Sequence, residues 1–537
     1  MMRFMKNLKY IFTALCLAGL LSGCYKDDST SFQIPLADVT IASHEKIPFF
    51  VGVESDYTPS IEWGSTSEAD YDYKWTLNGR EVISNELTLK YSFKEMGDAY
   101  LTFQMTDKKT GIVYGKDFSA TVTAKYFLGW VILSKGSGEK SQLSFVDMDS
   151  FTSYPDIYAQ ANPGDELGTK PYGLANTCIS KQDQIMVLQE GGEGPVSVSG
   201  LSFVKASYLK HEFIGEEFPE ENFKVKSALF SHRGAEMLIA ESGNLYDRTN
   251  AKSRTTSSAT FQDALFTTQA YPHAAGSYKF THHTFPGASS NITALYDALN
   301  RRWLTYYTNA ITTQYAIPAL KAGTVSFPEG FNWCTGMDEG VEMVYAQSNG
   351  ESTNYINLVN ILKKDGAYYI NQAKLTFASK TKSVTASAFS HKEFNTGYQY
   401  DANTQFLMPR GTGTDYNADI HIFFNIGQKL YFYHYSTGLT YLYRDFSKEE
   451  NAPQGDIVCL TQRADAKQLG VTFSDGHFIV LDSQKAKLTA IRQNNLDPEK
   501  VDNGLVLAHI TDIPGTPVAT IFKHGKAANY TGAKVAY

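Results

Sequence analysis

The sequence predicts an all-β protein. Aromatic residues make up 13% of the 537-residue chain, with 34 Tyr and 33 Phe, whereas charged residues make up only 19%. Many short runs alternate between apolar and polar residues and end at Gly, Asn or Asp, which is typical of strands joined by tight turns. The long C-terminal part has no helical periodicity. We expect two consecutive β modules, an immunoglobulin-like sandwich over residues 36–125 and a β-propeller over residues 126–537.

The sandwich is predicted from a set of closely spaced strands. Residues 71–77 alternate with period two, and Asn78-Gly79 is a hairpin turn signal. The run Gly97–Asp107 alternates again. About seven strands in roughly ninety residues, with Trp75 on a central strand, favour an immunoglobulin-like sandwich. We expect Trp75 to be a core residue rather than a ligand platform.

This first module resembles a PKD domain, a sandwich common in extracellular bacterial proteins. The resemblance lies in Tyr73-x-Trp75 followed by Asn78-Gly79, and in the run Gly97–Asp107. It implies an antiparallel sandwich with a structural role.

The second module is predicted from a unit that recurs along the chain. A strand at 127–133, a polar turn and a second strand at 143–147 begin the pattern, and similar strands follow as far as 518–522. Short strands at near-even spacing indicate radial repetition, and about 40–50 residues per blade suggests roughly seven blades. Two stacked sandwiches are the alternative. Closure into a propeller is favoured because it removes exposed strand edges.

The N-terminus has the pattern of an export signal. The first nine residues carry three basic side chains, and the apolar run 10–21 follows. Twelve residues are too few to span a bilayer as a helix. Leu21-Ser22-Gly23-Cys24 resembles the bacterial lipobox, which implies that signal peptide 1–23 is removed and that Cys24 becomes the lipidated first residue. The alternative is a plain secretory signal in which Cys24 is incidental.

The polar stretch 24–35 is expected to be a lipidated, flexible tether. Its residues Lys26, Asp27 and Asp28 stand directly after the cysteine. They resemble the surface-export signal of Bacteroidota lipoproteins. This resemblance implies a lipid-anchored protein of the outer membrane that faces the cell exterior.

Charge and cysteine content exclude several classes of protein. Without the three basic residues of the signal, the net charge moves from −8 to −11, and no basic cluster is present. This argues against binding to nucleic acid or to anionic lipid. The three remaining cysteines, Cys178, Cys334 and Cys459, are far apart and form no disulfide framework. We expect them to be small buried side chains, although one pair could form a disulfide.

Motifs for catalysis or metal binding are missing from the sequence, so we expect no enzyme, no cofactor and no metal. No His-Glu-x-x-His occurs, and the adjacent His282 and His283 would point to opposite faces of a strand. Gly191-Gly192-Glu193-Gly194 lacks the Lys-Ser/Thr of a phosphate loop and is expected to be a hairpin turn. The acidic run 216–221 is expected to be a solvated loop.

Ligand-binding residues are expected on aromatic groups and on polar loops, because rigid rings and loop side chains supply most binding contacts. The densest aromatic stretch is 431–435, where alternation predicts that at least half of the side chains are packing residues. The candidates for ligand contact are Arg410 and Tyr416 on the Gly-rich stretch 410–417, Trp333, and Tyr271.

Taken together, the lipobox, the single sandwich and the long β region resemble the PKD-like family lipoproteins of Bacteroidota. The resemblance implies an accessory binding subunit of a SusC/SusD-type TonB-dependent importer, with a peptide or glycoprotein-derived cargo favoured over a polysaccharide. It implies no catalytic residues. One alternative is a surface glycoside hydrolase or lyase with its active site in the propeller, and another is a purely structural subunit of the complex.

Overall fold

The structure is a computed structural model that divides the chain into two compact units, Met1–Val122 and Thr123–Tyr537. The residues that the structure describes are 37–43, 46–94, 96–179, 182–230, 236–248, 265–267, 277–284, 292–309, 313–314, 320–352, 354–378, 380–381, 383–409, 421–463, 467–483 and 506–523. Within these ranges no helix is both long and apolar enough to cross a membrane.

The first unit is a sandwich of short antiparallel strands. They are β1 (Thr40–Ile41), β2 (Lys46–Phe50), β3 (Glu54–Tyr57), β4 (Ile61–Glu62), β5 (Tyr71–Leu77), β6 (Glu81–Ser84), β7 (Leu89–Ser92), β8 (Gly97–Asp107) and β9 (Val113–Thr123). Five of them form a sheet in the order β2-β9-β8-β5-β6, and β3-β7 and β1-β4 form two smaller sheets. Trp75 is fully buried, with its ring 4.7 Å from that of Phe103. The expected sandwich with a core tryptophan is confirmed.

The second unit contains one two-stranded sheet and seven larger sheets in its described part, and the larger ones are here called blades 1 to 7. Blade 1 has β10 (Gly129–Lys135), β11 (Ser141–Asp147) and β12 (Ser153–Tyr154). Blade 2 has β13 (Pro171–Ile179), β14 (Gln182–Gln189), β15 (Val196–Ser199) and β16 (Lys205–Tyr208). Blade 3 has β17 (Val225–Phe230), β18 (Glu236–Ala240) and β19 (Leu245–Arg248). Blade 4 has β20 (Phe280–His283), β21 (Ile292–Asp297), β22 (Arg302–Asn309) and β23 (Thr313–Gln314).

Blade 5 has β24 (Leu320–Lys321), β27 (Glu342–Ser352), β28 (Tyr355–Lys364), β29 (Ala367–Ala378) and β30 (Ser383–Glu393), and the hairpin β25 (Phe331–Asn332) and β26 (Gly336–Met337) precedes β27. Blade 6 has β31 (Phe406–Leu407), β32 (His421–Ile426), β33 (Lys429–His434) and β34 (Leu439–Asp445). Blade 7 has β35 (Ile457–Gln462), β36 (Gln468–Phe473), β37 (Phe478–Asp482) and β38 (Val506–Ile510), and the last strand is β39 (Thr516–Lys523). Helix α1 (Ile157–Ala161) lies between blades 1 and 2.

The seven blades form a closed ring. Strand β39 pairs with β10, from Thr516 opposite Lys135 to Lys523 opposite Gly129, and thereby becomes the innermost strand of blade 1. It contacts both β13 and β35, the first strands of blades 2 and 7. The C-terminal strand therefore joins the last blade to the first, which is the closure that removes open sheet edges. The β-propeller predicted from the sequence is confirmed, and the described residues form seven blades.

Apolar cores lie between every pair of neighbouring blades. Seven such clusters follow one another around the described ring. In β10, for example, Val131 and Leu133 face blade 2, whereas Trp130 and Ile132 face blade 7. Because each blade is covered on both faces, its inner strands carry apolar residues at consecutive positions rather than at alternate ones. These cores supply most of the stabilisation, since buried apolar area is the largest favourable contribution to folding.

One rim of the propeller can be defined by its turns. Apart from the parallel pair β24 and β30 of blade 5, the strand pairs of the blades are antiparallel. In blades 3 and 7, for example, the turn between the second and third strands therefore lies on the same rim as the connection from the preceding blade. Backbone hydrogen bonds join these two segments, as in Glu241 N to Lys224 O at 2.9 Å and Ser474 N to Asp456 O at 2.9 Å. We call this rim the upper rim.

Candidate functional site

Most of the residues that the sequence singled out lie outside the described residues. They are Cys24, Lys26, Asp27, Asp28, Tyr271, Arg410 and Tyr416. Their lipidation, export and ligand-binding roles therefore stay predictions.

Trp333 was predicted to contact ligand, and the structure corrects this. Its side chain is fully buried in the core between blades 4 and 5. The short hairpin β25-β26 folds inward and places its ring 5.2 Å from Phe389 and 6.0 Å from Trp303. A ring enclosed in this way has no open face for a ligand, so Trp333 is a packing residue.

The aromatic stretch 431–435 is also a packing element. All five of its side chains are buried, because β33 is an interior strand of blade 6. Tyr431, Tyr433 and Tyr435 pack toward blade 5, and Phe432 packs toward blade 7. Alternation along this strand therefore separates two buried faces, and the prediction that at least half of these side chains are packing residues is confirmed.

The structure instead exposes a different tyrosine of the same aromatic group. Tyr398 lies on the upper rim, in the connection from β30 to β31, and 39% of its surface is accessible. Its ring centroid is 4.4 Å from that of Tyr431 and 6.1 Å from that of Phe424. Burial, followed by a hydrogen bond with Tyr398, raises the pKa of Tyr431. Tyr398 is thus an exposed ring held against buried rings, and we call it the Tyr398 platform.

Sequence reasoning missed Tyr398 because Tyr400, two residues later, has the same local surroundings. Tyr400 packs against Phe424 and Phe406 at 5.6 and 5.2 Å and is half-buried. Nothing in the stretch 394–405 distinguishes the buried tyrosine from the exposed one. The two tyrosines are distinguished only by how the connection packs against blade 6.

His282 and His283 have different environments on the innermost strand of blade 4. The His283 ring is hydrogen-bonded to the Ser227 hydroxyl of blade 3. The His282 ring instead lies edge-on to Tyr296, which belongs to the core shared with blade 5. The two rings therefore point to opposite sides of the strand, as predicted from their adjacency.

The protonation of His282 predicts a pH-dependent stability. Burial and then the positive charge of Lys226 lower the pKa of His282 to about 4, against about 6.5 for an unfolded histidine. The folded state favours the neutral form of His282. The contribution of this residue to the free energy of unfolding is therefore complete above about pH 6.5 and is lost as the pH falls toward 4. This contribution is up to about 3 kcal/mol.

The measurement is urea unfolding of wild type and His282→Gln at several pH values between 7 and 4. We expect the free energy of unfolding of the wild type to fall more steeply with acid than that of the variant. His211→Gln, at an exposed histidine, is the matched control and should keep the wild-type slope. Equal slopes for wild type and His282→Gln would contradict the assignment.

Two predicted loops are described by the structure. Gly191-Gly192-Glu193-Gly194 joins β14 to β15, which confirms the hairpin turn. In the acidic run 216–221, Glu216, Glu217 and Glu221 are exposed as expected. Glu220 instead accepts hydrogen bonds from Ser242 and Asn244 of blade 3 and fixes the loop to the upper rim.

The described side chains include two free cysteines and no cluster suited to a metal ion. Cys334 and Cys459 are both free thiols, and burial raises the pKa of each to about 11. The side chain of Cys178 lies outside the described ones. Within the described residues, no group of three or more His, Cys, Asp or Glu side chains is placed to hold a metal ion.

Comparisons with known proteins give one family match and several distant structural matches. A model of the PKD-like family matches residues 24–171. Among solved structures, a quinoprotein alcohol dehydrogenase-like protein of Bacteroides thetaiotaomicron is similar with a TM-score of 0.37 and 12% identity, over 90% of this chain and 99% of that one. The β-propeller domain of Nup133 from Vanderwaltozyma polyspora is similar with a TM-score of 0.35 and 8% identity, over 72% of this chain and 94% of that one. A search of the curated proteins gives no match.

These similarities are too distant to assign an activity. The fold is established by the strand pairing, the closure through β39 and the inter-blade cores. The family match covers the sandwich and continues to the beginning of blade 2. The chain therefore combines an N-terminal PKD-like domain with a β-propeller that has seven blades in its described part.

Proposed function

We propose that this protein is a non-enzymatic lipoprotein of the outer membrane that faces the cell exterior. Its role would be that of an accessory binding subunit of a SusC/SusD-type nutrient importer. Cys24 carries the lipid, Lys26, Asp27 and Asp28 direct export to the surface, and the propeller presents the ligand-binding rim.

The anchor is supported by the order of the N-terminal segments. The apolar signal, the lipobox and the polar tether precede the sandwich directly. The match to the PKD-like family begins at Cys24, the residue at which the mature chain would start. A flexible tether of about ten residues reaches a few nanometres at most, so the folded units would stay close to the membrane surface.

The observation that carries the binding role is the Tyr398 platform. An exposed ring that is held by buried rings supplies contact area without losing much side-chain entropy when a ligand binds. Loop residues on one rim of a rigid scaffold are common positions for recognition. The closed ring of seven blades supplies such a scaffold.

The experiment is an affinity purification from membranes with a tag on this protein, followed by identification of the proteins that copurify. We expect an outer-membrane importer and its surface lipoprotein. A chain with Cys24→Ala, which lacks the lipid attachment site, is the control and should recover less importer. Failure to recover an importer, together with no binding of the purified protein to oligopeptide or glycan arrays, would contradict the proposed function.

A further inference from the structure

The Tyr398 platform is a distinctive feature of the propeller surface. In the described part of the propeller, the other exposed large apolar side chains are aliphatic and lie outside the connection from β30 to β31. They are Val204, Ile214, Leu265, Leu299 and Leu439. The platform is thus an isolated aromatic ring rather than part of an apolar groove, which disfavours a ligand recognised through bulky apolar side chains.

The ring is held in one orientation by the aromatic side chains below it. Tyr431 and Phe424 stack on each other at 5.5 Å with an interplanar angle of 18°. Tyr400 meets Phe424 edge-on at 5.6 Å. Tyr398 rests on this group through Tyr431. A ligand that stacks on the outer face of Tyr398 would therefore meet a surface that is already ordered, which lowers the entropy lost on binding.

Polar side chains belong to the same connection as the ring. Asn395 accepts a hydrogen bond from Gly397 N at 3.1 Å, and Asp401 accepts one from Asn403 N at 2.9 Å, so both side chains are oriented by the local turns. Each uses one oxygen in the bonds described, which leaves the Asn395 amide nitrogen and the second Asp401 oxygen for a ligand. Asn403 is exposed beside them.

Charge around the platform restricts the ligand further. The carboxylates of Asp401 and Glu393 are exposed in or next to this connection. The lysines of the adjoining strands are directed at other partners, since Lys392 lies over the Tyr435 ring at 4.3 Å and Lys429 pairs with Asp445 at 3.9 Å. The exposed carboxylate of Asp401, within the connection itself, disfavours an anionic ligand, so a neutral one is favoured.

We propose that the Tyr398 platform binds a neutral saccharide. The C–H face of a sugar ring packs on the tyrosine ring, and its hydroxyl groups bond with the amide of Asn395 and the carboxylate of Asp401. The inference deepens the proposed function, on which it rests, by naming the ligand class. It places the specificity for cargo in the saccharide part of a glycan or glycoprotein.

The test uses the purified mature chain with Cys24→Ser, so that no lipid is attached, on an array of neutral and acidic oligosaccharides. For each oligosaccharide that binds on the array, the affinity is then measured by isothermal titration calorimetry. The chains compared are the parent chain, Tyr398→Ala, Tyr398→Phe and Tyr100→Ala. Tyr100 is the matched control because it is an exposed tyrosine on β8 of the sandwich.

We expect at least one neutral oligosaccharide to bind, and its affinity to fall about tenfold or more in Tyr398→Ala. Tyr398→Phe should keep most of the affinity, since the ring does the stacking, and Tyr100→Ala should keep all of it. Binding that is equal in Tyr398→Ala, binding restricted to acidic sugars, or no saccharide binding would overturn the inference. Recovery of the importer in the affinity purification does not depend on this result, so the two proposals can fail separately.

Discussion

Removing the closing strand β39 is expected to abolish cooperative folding of the propeller. A chain that ends at Ile513 leaves β10 without the partner that it pairs with from Gly129 to Lys135. It also removes Phe522 from its contact with the Trp130 ring at 5.2 Å. Two inter-blade cores lose part of their apolar surface, and a domain stability of about 5–15 kcal/mol cannot absorb such a loss.

Near-ultraviolet circular dichroism and urea unfolding of the truncated chain test this expectation. We expect the aromatic signal of the propeller to weaken and its cooperative transition to disappear. A chain that ends at Lys523 keeps β39 and is the matched control, with a native signal expected. A truncated chain that unfolds like this control would show that closure through β39 is dispensable.

Replacing Arg248 by Met is expected to cost about 3–5 kcal/mol of stability, the range found when one partner of a buried ion pair is removed. The guanidinium of Arg248 lies 2.6 Å from the Glu212 carboxylate, and both side chains are almost fully buried. Glu212 also accepts hydrogen bonds from Ser197 and Ser207, each at 2.6 Å. This ion pair joins the end of β19 in blade 3 to the connection from blade 2. The Arg248→Met variant leaves the buried Glu212 carboxylate without its cation.

Urea unfolding measures this cost, and the sandwich offers an exposed pair for comparison. Lys46 and Asp98 are 3.1 Å apart with more than half of each side chain accessible. Lys46→Met should change the free energy of unfolding little, because exposed ion pairs are screened by water and salt. A loss in Arg248→Met no larger than that in Lys46→Met would contradict the structural role of the buried pair.

The architecture could be predicted from the sequence because strand patterns are local. The stretch Gly97–Asp107 was predicted as one strand and is observed with the same bounds in β8. Trp75 was expected in the core of the sandwich and is there. The propeller could be predicted from the spacing of its strands, because closing many short strands into a ring is a general way to avoid exposed sheet edges.

The environment of individual side chains could not be predicted, because it depends on which blade lies against which. The stretch 431–435 has the composition of a binding strand, but both of its faces are covered. Tyr398 and Tyr400 are close in sequence and differ in exposure. Glu212 and Arg248 are 36 positions apart and carry no pattern that pairs them. Each of these facts follows from the packing between neighbouring blades, which local sequence does not encode.

The most direct test of the proposed function concerns the anchor and its exposure. Cells that express the protein are fed an alkyne-labelled palmitate, and intact cells are then treated with protease. We expect the label on the wild type and not on Cys24→Ala, and we expect the protease to degrade the labelled protein without lysis of the cells. An unlabelled protein, or a labelled one that intact cells protect, would contradict a surface lipoprotein.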